Sequence, residues 1–344
     1  MNFLRRAIAL VYLFILMPNV HSQEVEPSLF ADTSALQVEL TYSFDEIRHD
    51  NSGKPCYHQA QFRYRNIWGG RPTFDVEIKT RGIFRRNPNN CSQPPLWIKF
   101  SPKDVRNTPF EGISKVKLVL QCFDRSQSEQ LLLKEYLIYR LYEIVSPQYS
   151  YRVRLVRIAL LDKFSDKSIS MYGFLLEPSV LMAVRLGGIV DEQKNIHPNA
   201  CSHEFATRMA IFQYMIGHTD WSIKALHNIT LIEPEIAAPP VPVPFDFDFS
   251  GFVNAPYALP AEQLPIKSVT QRYFNGYCRT ENEFLDAISH FNEKKNEIIG
   301  CIESFTYIDN KTKYNAIGYI NDFFETVNNE SKLQREIING CRTD

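Results

Sequence analysis

Between about Leu36 and Gln121 apolar and polar residues alternate in short runs: Leu36, Val38, Leu40 and Tyr42, then Phe74, Val76 and Ile78, then Leu96, Ile98 and Phe100, then Val116, Leu118 and Leu120. A period of two buries one face of each run and predicts antiparallel, half-buried strands. Turn residues separate them, as at Trp68-Gly69-Gly70 and Asn87 to Asn90. The period then changes. From Ser126 to Ile144 the residues Leu132, Leu133, Tyr136, Leu137, Tyr139, Leu141 and Ile144 fit a helix with one broad buried side, ended by Pro147. Two more strands follow, Tyr151 to Leu161 and Met171 to Leu176, and then a helix from Ser202 to Ile216. Five prolines between Glu233 and Pro244 read as an extended loop, and helical patterns return over Glu281 to Phe305 and Tyr314 to Asn339. The pattern predicts an α+β chain: a strand-rich part with one embedded helix, then a mostly helical part.

Composition narrows the partners. The 344 residues carry a formal net charge of -1, which argues against nucleic acid, since phosphate backbones select basic surfaces. Arg5 and Arg6, the apolar stretch Ala7 to Met17 and the small-residue site Val20-His21-Ser22 read as an export signal over 1–22, with the mature chain starting near Gln23. No later segment approaches the ~20 apolar residues a spanning helix needs, so no integral membrane domain is expected after signal removal, and the location is periplasmic or extracellular. The seven cysteines show no zinc-like spacing, and in an oxidising compartment they read as disulfides. Cys91 with Cys122 and Cys301 with Cys341 are the pairs suggested by location.

Two clusters carry candidate chemistry: His218-Thr219-Asp220-Trp221 with Asn228 behind it, and Phe245-Asp246-Phe247-Asp248-Phe249-Ser250-Gly251. On an extended strand Asp246 and Asp248 would project to one side and the phenylalanines to the other. Adjacent carboxylates repel unless a cation lies between them, and Mg2+ or Mn2+, which takes one or two carboxylates plus phosphate oxygens, suits such a pair. Asp220, at the end of an apolar helix, is placed to accept a proton from an incoming hydroxyl, and Asn228 offers a neutral oxygen to the metal. Alone, Asp220 would read as a turn or cap residue. Glu135 in the embedded helix and Lys117 in the preceding strand form a possible phosphate-holding pair, with Lys99 and Lys115 competing for the lysine role. Arg81 and Arg85-Arg86, beside Gly82, are placed to reach phosphate or to form a solvated basic loop. His218 reads as a core or hinge histidine.

These segments, with Lys115-Val116-Lys117-Leu118, Leu133-Lys134-Glu135-Tyr136-Leu137-Ile138-Tyr139, Tyr172-Gly173-Phe174-Leu175-Leu176-Glu177 and Phe212-Gln213-Tyr214-Met215-Ile216-Gly217, come in an order that resembles the spore-coat CotH kinase family. The resemblance spans roughly Phe74 to Tyr257. It implies a two-lobed atypical protein-kinase-like fold, with an antiparallel β-rich N-lobe over 23–178 and a helical C-lobe over 179–344. It also implies a kinase that uses ATP and a divalent metal to phosphorylate hydroxyl groups of an extracytoplasmic protein or another acceptor. Asp220 would be the catalytic aspartate, Asn228, Asp246 and Asp248 the metal site, and Lys117, Glu135 and Glu177 the nucleotide side, with Glu177 near the lobe connection. No glycine-rich phosphate loop precedes Lys117, and the step from Asp220 to Asn228 is longer than in ordinary protein kinases. Two other readings stand beside this one. The first is a catalytically inactive kinase-like binding or structural module of the cell surface. The second is a metal-dependent hydrolase, which would lack its usual histidine ligands.

Overall fold

A computed structural model describes residues 28–50, 54–234 and 238–343. The export signal and the start of the mature chain lie outside the described residues. In chain order the first elements are β1 (Leu36–Tyr42), α1 (Phe44–His49), β2 (His58–Tyr64), β3 (Thr73–Thr80), β4 (Leu96–Lys99) and β5 (Lys115–Leu120). They are followed by α2 (Ser126–Val145), β6 (Val153–Asp162), β7 (Ser168–Leu176), α3 (Ser179–Arg185), β8 (Gly188–Asp191) and α4 (His203–Met215). The chain continues through β9 (Ile229–Pro234), β10 (Val241–Pro244), α5 (Glu281–Ser304) and α6 (Asn310–Val327), with short helical turns after it.

The first seven strands close into a barrel in the order β1-β2-β3-β4-β5-β7-β6. Closure comes from β1 and β6, which run parallel from Leu36 opposite Val156 to Tyr42 opposite Asp162; the remaining pairs are antiparallel. The alternating residues read from the sequence fill the interior: Val38, Leu40, Ile78, Ile98, Phe100, Val116 and Leu118 share one core with Phe62, Phe110, Ile158 and Leu160. On β5, β6 and β7 the opposite parity is buried as well. Val119, Leu155, Phe174 and Leu176 belong to a second core, built with α2, α4, α5 and α6. Strands covered on both faces lose their polar alternation, which explains the continuous apolar runs at Leu118-Val119-Leu120 and Phe174-Leu175-Leu176.

This architecture corrects the expected two-lobed kinase-like fold with an antiparallel N-lobe and a helical C-lobe. The strand-rich part is a closed mixed barrel rather than an antiparallel lobe. The second half is not mostly helical either: it holds a three-stranded sheet, β10-β9-β8, and a long irregular stretch between β10 and α5. Alternation reports which face of a strand is buried, not which strand lies beside it, so a parallel partner more than a hundred residues away leaves no mark in the pattern.

The proline-rich segment also differs from expectation. Val241-Pro242-Val243-Pro244 is a strand paired antiparallel with β9, and it sits at the edge of its sheet. Proline has no N–H for a ladder, and an edge strand needs hydrogen bonds from alternate residues only. Cys91 pairs with Cys122 as location suggested, but Cys341 pairs with Cys278 and not with Cys301, which stays free with Cys56 and Cys201. Two disulfides fit an oxidising, extracytoplasmic setting. Among the described residues no helix is long and apolar enough to cross a membrane.

Helix α5 begins in a capping box: the Thr280 hydroxyl accepts from the Glu283 N–H at 3.3 Å, and a Glu283 carboxylate oxygen accepts from the Thr280 N–H at 2.9 Å. The hydrogen bond from the Thr280 hydroxyl to the Glu283 carboxylate, followed by that from the Thr280 N–H, pulls the Glu283 pKa down to about 2 from its ordinary value of 4.5. Thr280→Ala should therefore cost about 1 kcal/mol in urea unfolding. A carboxyl whose folded value is depressed stabilises above its unfolded value and loses that contribution as pH falls toward the folded one. The wild type should lose stability between about pH 4.5 and 2 more steeply than Glu283→Gln; equal slopes would remove this role.

Candidate functional site

The site begins where α4 ends. Gly217 adopts φ +64°, and the His218 N–H donates to the Gln213 carbonyl at 2.8 Å, reversing the chain. His218 itself is buried, with Nδ1 against the Gln213 side-chain oxygen at 3.0 Å, and burial pushes its pKa down to about 4. It is the core histidine that the sequence suggests. The turn leaves Asp220 half exposed, with Oδ1 2.8 Å from His227 Nε2 and Oδ2 accepting from Asn228 Nδ2 at 3.2 Å. A second bond from the same amide to the Asp220 carbonyl, at 2.8 Å, fixes the Asn228 side chain.

Strand register brings the second cluster to the first. In the β9–β10 pair Ile229 faces Pro244, and one step further the Phe245 N–H donates to the Asn228 carbonyl at 3.0 Å. Asn228 and Asp246 are thus near neighbours, and both adopt left-handed backbone, at φ +52° and +64°. Non-glycine residues held there cost free energy and concentrate at functional sites. The same geometry corrects the extended-strand reading of Asp246 and Asp248: β10 stops at Pro244, and the backbone turns at Asp246. Phe247 and Asp248 are both buried, while Asp246 is more open. Tyr139 of α2 holds the turn by accepting from the Asp246 N–H at 2.9 Å.

Charge then organises the cleft. Asp248 accepts from the Tyr257 hydroxyl at 3.0 Å; burial and the neighbouring Asp246 charge push its pKa up to about 6, against the pull of Arg85. Glu135, buried on α2, is raised well above the usual carboxylate range by burial and then by Asp248 and Asp246, with Arg85 and Arg81 opposing. Arg81 reaches Asp246 at 3.9 Å. Phe84, in the same loop, packs on Phe249 and Tyr257, which seats Arg85 against the second cluster. Two members of the basic loop, Arg81 and Arg85, therefore lie against these acids, while Arg86 lines a separate cavity.

The three lysines lie in different surroundings. Lys99 pairs with Glu77 at 2.6 Å and Lys115 lies over Trp97, whereas Lys117 lies over the Phe245 ring at 4.4 Å and feels Asp246. Burial and then the Arg81 charge lower the Lys117 pKa to about 8. No ion pair joins Lys117 to Glu135 among the described residues; the cations acting on Glu135 are Arg85 and Arg81. Glu177 is taken up differently, in a two-pronged pair with Arg185 at 3.0 and 2.8 Å, and it also accepts from the Arg152 N–H. It braces the end of β7. Sequence reasoning missed Tyr139 and Tyr257, which read as ordinary apolar-face and loop aromatics, and His227, whose place beside Asn228 was the available signal.

Two cavities flank the carboxylates. One of about 430 Å³ is lined by Arg85, Gln121, Leu132, Glu135, Asp248 and Tyr257. Within it Arg85 Nε, Gln121 Oε1 and Glu135 Oε1 have no hydrogen-bond partner among the described residues. The other, of about 650 Å³, is lined by Asp220, Trp221, His227, Phe249, Leu259 and Tyr273. Comparison with models of known families and with curated proteins finds no match. The residues themselves fit a hard divalent cation: the donors of Asp246, Asp248 and Asn228 are oxygens, and Glu135 carries a buried, unpartnered oxygen nearby. Asp220, Asp246 and Asp248 do not converge within 4.8 Å of one another, so one or two carboxylates, rather than all three, would contact a single ion.

Both loops rest on one backstop. The Gly251 N–H donates to the Gly217 carbonyl at 3.0 Å and the Phe252 N–H to the Ile216 carbonyl at 2.9 Å. A Cβ on Gly251 would stand 2.2 Å from the Val269 carbonyl and 2.4 Å from the Tyr319 hydroxyl. Gly251→Ala should cost about 1–3 kcal/mol in urea unfolding, because one of the obstacles is backbone. An unchanged midpoint would show that the loops are not held in this way.

Proposed function

We propose that the chain is an exported, metal-dependent phosphotransferase that moves the terminal phosphoryl group of ATP to a hydroxyl of an extracytoplasmic protein or another hydroxyl-bearing acceptor. One observation carries the reading. Carboxylates from two separate loops lie within one another's field, faced by Arg81, Arg85 and Lys117, which come from a third region of the chain. Anionic groups that need a cation, beside cations that suit an anion, are the combination a metal-bound nucleotide requires. The resemblance to the CotH kinases supports the reading through these residues and not through a shared architecture. Asp246 and Asp248, with Asn228, would hold Mg2+ or Mn2+, which when bound supplies positive charge against the phosphate oxygens.

The chain's own residues divide the work. Arg85 and Glu135 line the cavity on the Asp248 side, where Arg85 would orient phosphate and Gln121 offers a further polar contact. Lys117 and Arg81 neutralise charge beside Asp246. Asp220 lies on the other side, in a cavity whose Trp221, Phe249, Leu259 and Tyr273 suit an acceptor chain. There its carboxylate would take the proton of the attacking hydroxyl as the new O–P bond forms and the bond to the nucleoside diphosphate breaks. His227, at 2.8 Å, would stabilise that carboxylate and pass the proton outward.

A second reading, a catalytically inactive binding or structural module of the cell surface, draws on one feature: both Asp220 oxygens already have partners, in His227 and Asn228. Labelled-phosphate incorporation into the protein itself or into casein-like acceptors separates the two. Wild type should transfer phosphate, and Asp220→Ala should be slower by about 10²–10⁴-fold. Nucleotide with Mg2+ or Mn2+ should raise the melting temperature of the wild type and not of Asp246→Asn. Binding without transfer would favour the inactive module, and no thermal shift with any nucleotide–metal pair would sink both.

A further inference from the structure

Among the described residues one group of three histidine, cysteine or acidic side chains brings its ligand atoms within 4.8 Å of one another, and it lies outside the cleft: Asp50, Cys56 and His58. We propose that these residues form a zinc site that staples the end of α1 to the start of β2. His58 Nε2 stands 3.4 Å from Cys56 Sγ and 3.2 Å from Asp50 Oδ2. In a tetrahedral site with Zn–S ≈ 2.3 Å and Zn–N and Zn–O of ~2.0–2.2 Å, the corresponding edges are ~3.6 and ~3.4 Å. A thiolate, an imidazole and a carboxylate together select zinc over the hard cations that suit the Asp246 loop. Three protein ligands leave the fourth position to water.

The three ligand atoms are close enough to share one cation once the thiol is ionised. A single ring nitrogen faces two groups that both accept once the thiol is ionised, and it carries at most one hydrogen for them. A cation among the three atoms serves all of them. The other ring nitrogen, Nδ1, faces Glu46 Oε2 at 3.4 Å, the outer carboxylate that commonly orients a metal-bound histidine. Asp50 is buried and already aimed: its Oδ2 accepts from the Cys56 N–H at 3.2 Å, and its carbonyl accepts from the Thr80 hydroxyl at 3.2 Å. Thr80 precedes Arg81, whose guanidinium reaches Asp246, so the staple would also steady the basic side of the cleft. Cys56 is exposed and unpaired in a chain that elsewhere forms disulfides, and bound zinc would keep its thiolate from oxidation.

The full chain, held under mild reductant, stripped with chelator and titrated with Co2+ and then Zn2+, tests the site. One equivalent of Co2+ should give thiolate-to-metal charge-transfer absorption and the intense visible bands of a tetrahedral ion, both erased by Zn2+. Cys56→Ser should remove the charge-transfer band, and its exposed position means the metal-free variant should melt with the metal-free wild type. Glu46→Gln, which keeps all three ligands, should weaken affinity about 10–100-fold. The same bands in Asp246→Asn would keep the assignment apart from the carboxylate cleft. Absence of a thiolate band in wild type, or its persistence in Cys56→Ser, would overturn the proposal.

Discussion

Seven residues of β1 lie parallel to seven of β6, and that pairing turns a sheet with two open edges into a barrel. With the edges gone, the inner face becomes one apolar core and the outer face of β5, β6 and β7 becomes a fixed platform. Helix α2 packs on that platform through Leu133, Tyr136 and Leu137, and so Glu135 and Tyr139 acquire set positions. The loop after β3 hangs from the same barrel and delivers Arg81 and Arg85. Every group facing the Asp246 loop from this side is thus tied to the closure.

The opposing side is built from backbone. Two loops, one leaving α4 and one leaving β10, are joined by paired hydrogen bonds and by the strand register at Asn228 and Phe245. Asp248 from the second loop and Glu135 from α2 are buried beside the Asp246 charge, which is why both hold their protons more tightly than free carboxyls. Arg81, Arg85 and Lys117 offset part of that cost. The balance favours whatever brings positive charge among the acids and negative charge among the bases, and the cavities on either side give such a ligand room.

Much of this was legible. Alternation located β1, β3, β4, β5, β6 and β7, and the helical periods of α2, α4 and α5 are in the sequence as they are in the fold. The span read as one final helix, Tyr314 to Asn339, is instead α6 and short turns broken near Asn328. Strand β2 escaped notice because His58-Gln59-Ala60-Gln61 dilutes its pattern with polar and small residues. Strand β10 escaped because its prolines, tolerable only at an edge, look like a loop when the edge is not known. Asp220, Asn228, Asp246 and Asp248 were recognisable as candidate chemistry, and the β9–β10 register sets Asn228, which bonds Asp220, beside the start of the Asp246 loop. The role of Glu177 was not readable, since Arg185, its partner, lies eight residues on in a helix whose direction only packing sets.

By itself the sequence determined where six of the barrel strands and the long helices α2, α4 and α5 form, which faces they bury and which residues carry ionisable chemistry, because these are local matters of period, side-chain type and turn residues. The tertiary structure decided that the strands close through a parallel pair, that Cys341 joins Cys278 and that Glu135 answers to Arg85 rather than to Lys117. Those outcomes depend on which surfaces meet across large sequence separations, and a burial pattern is the same whichever partner provides the burial.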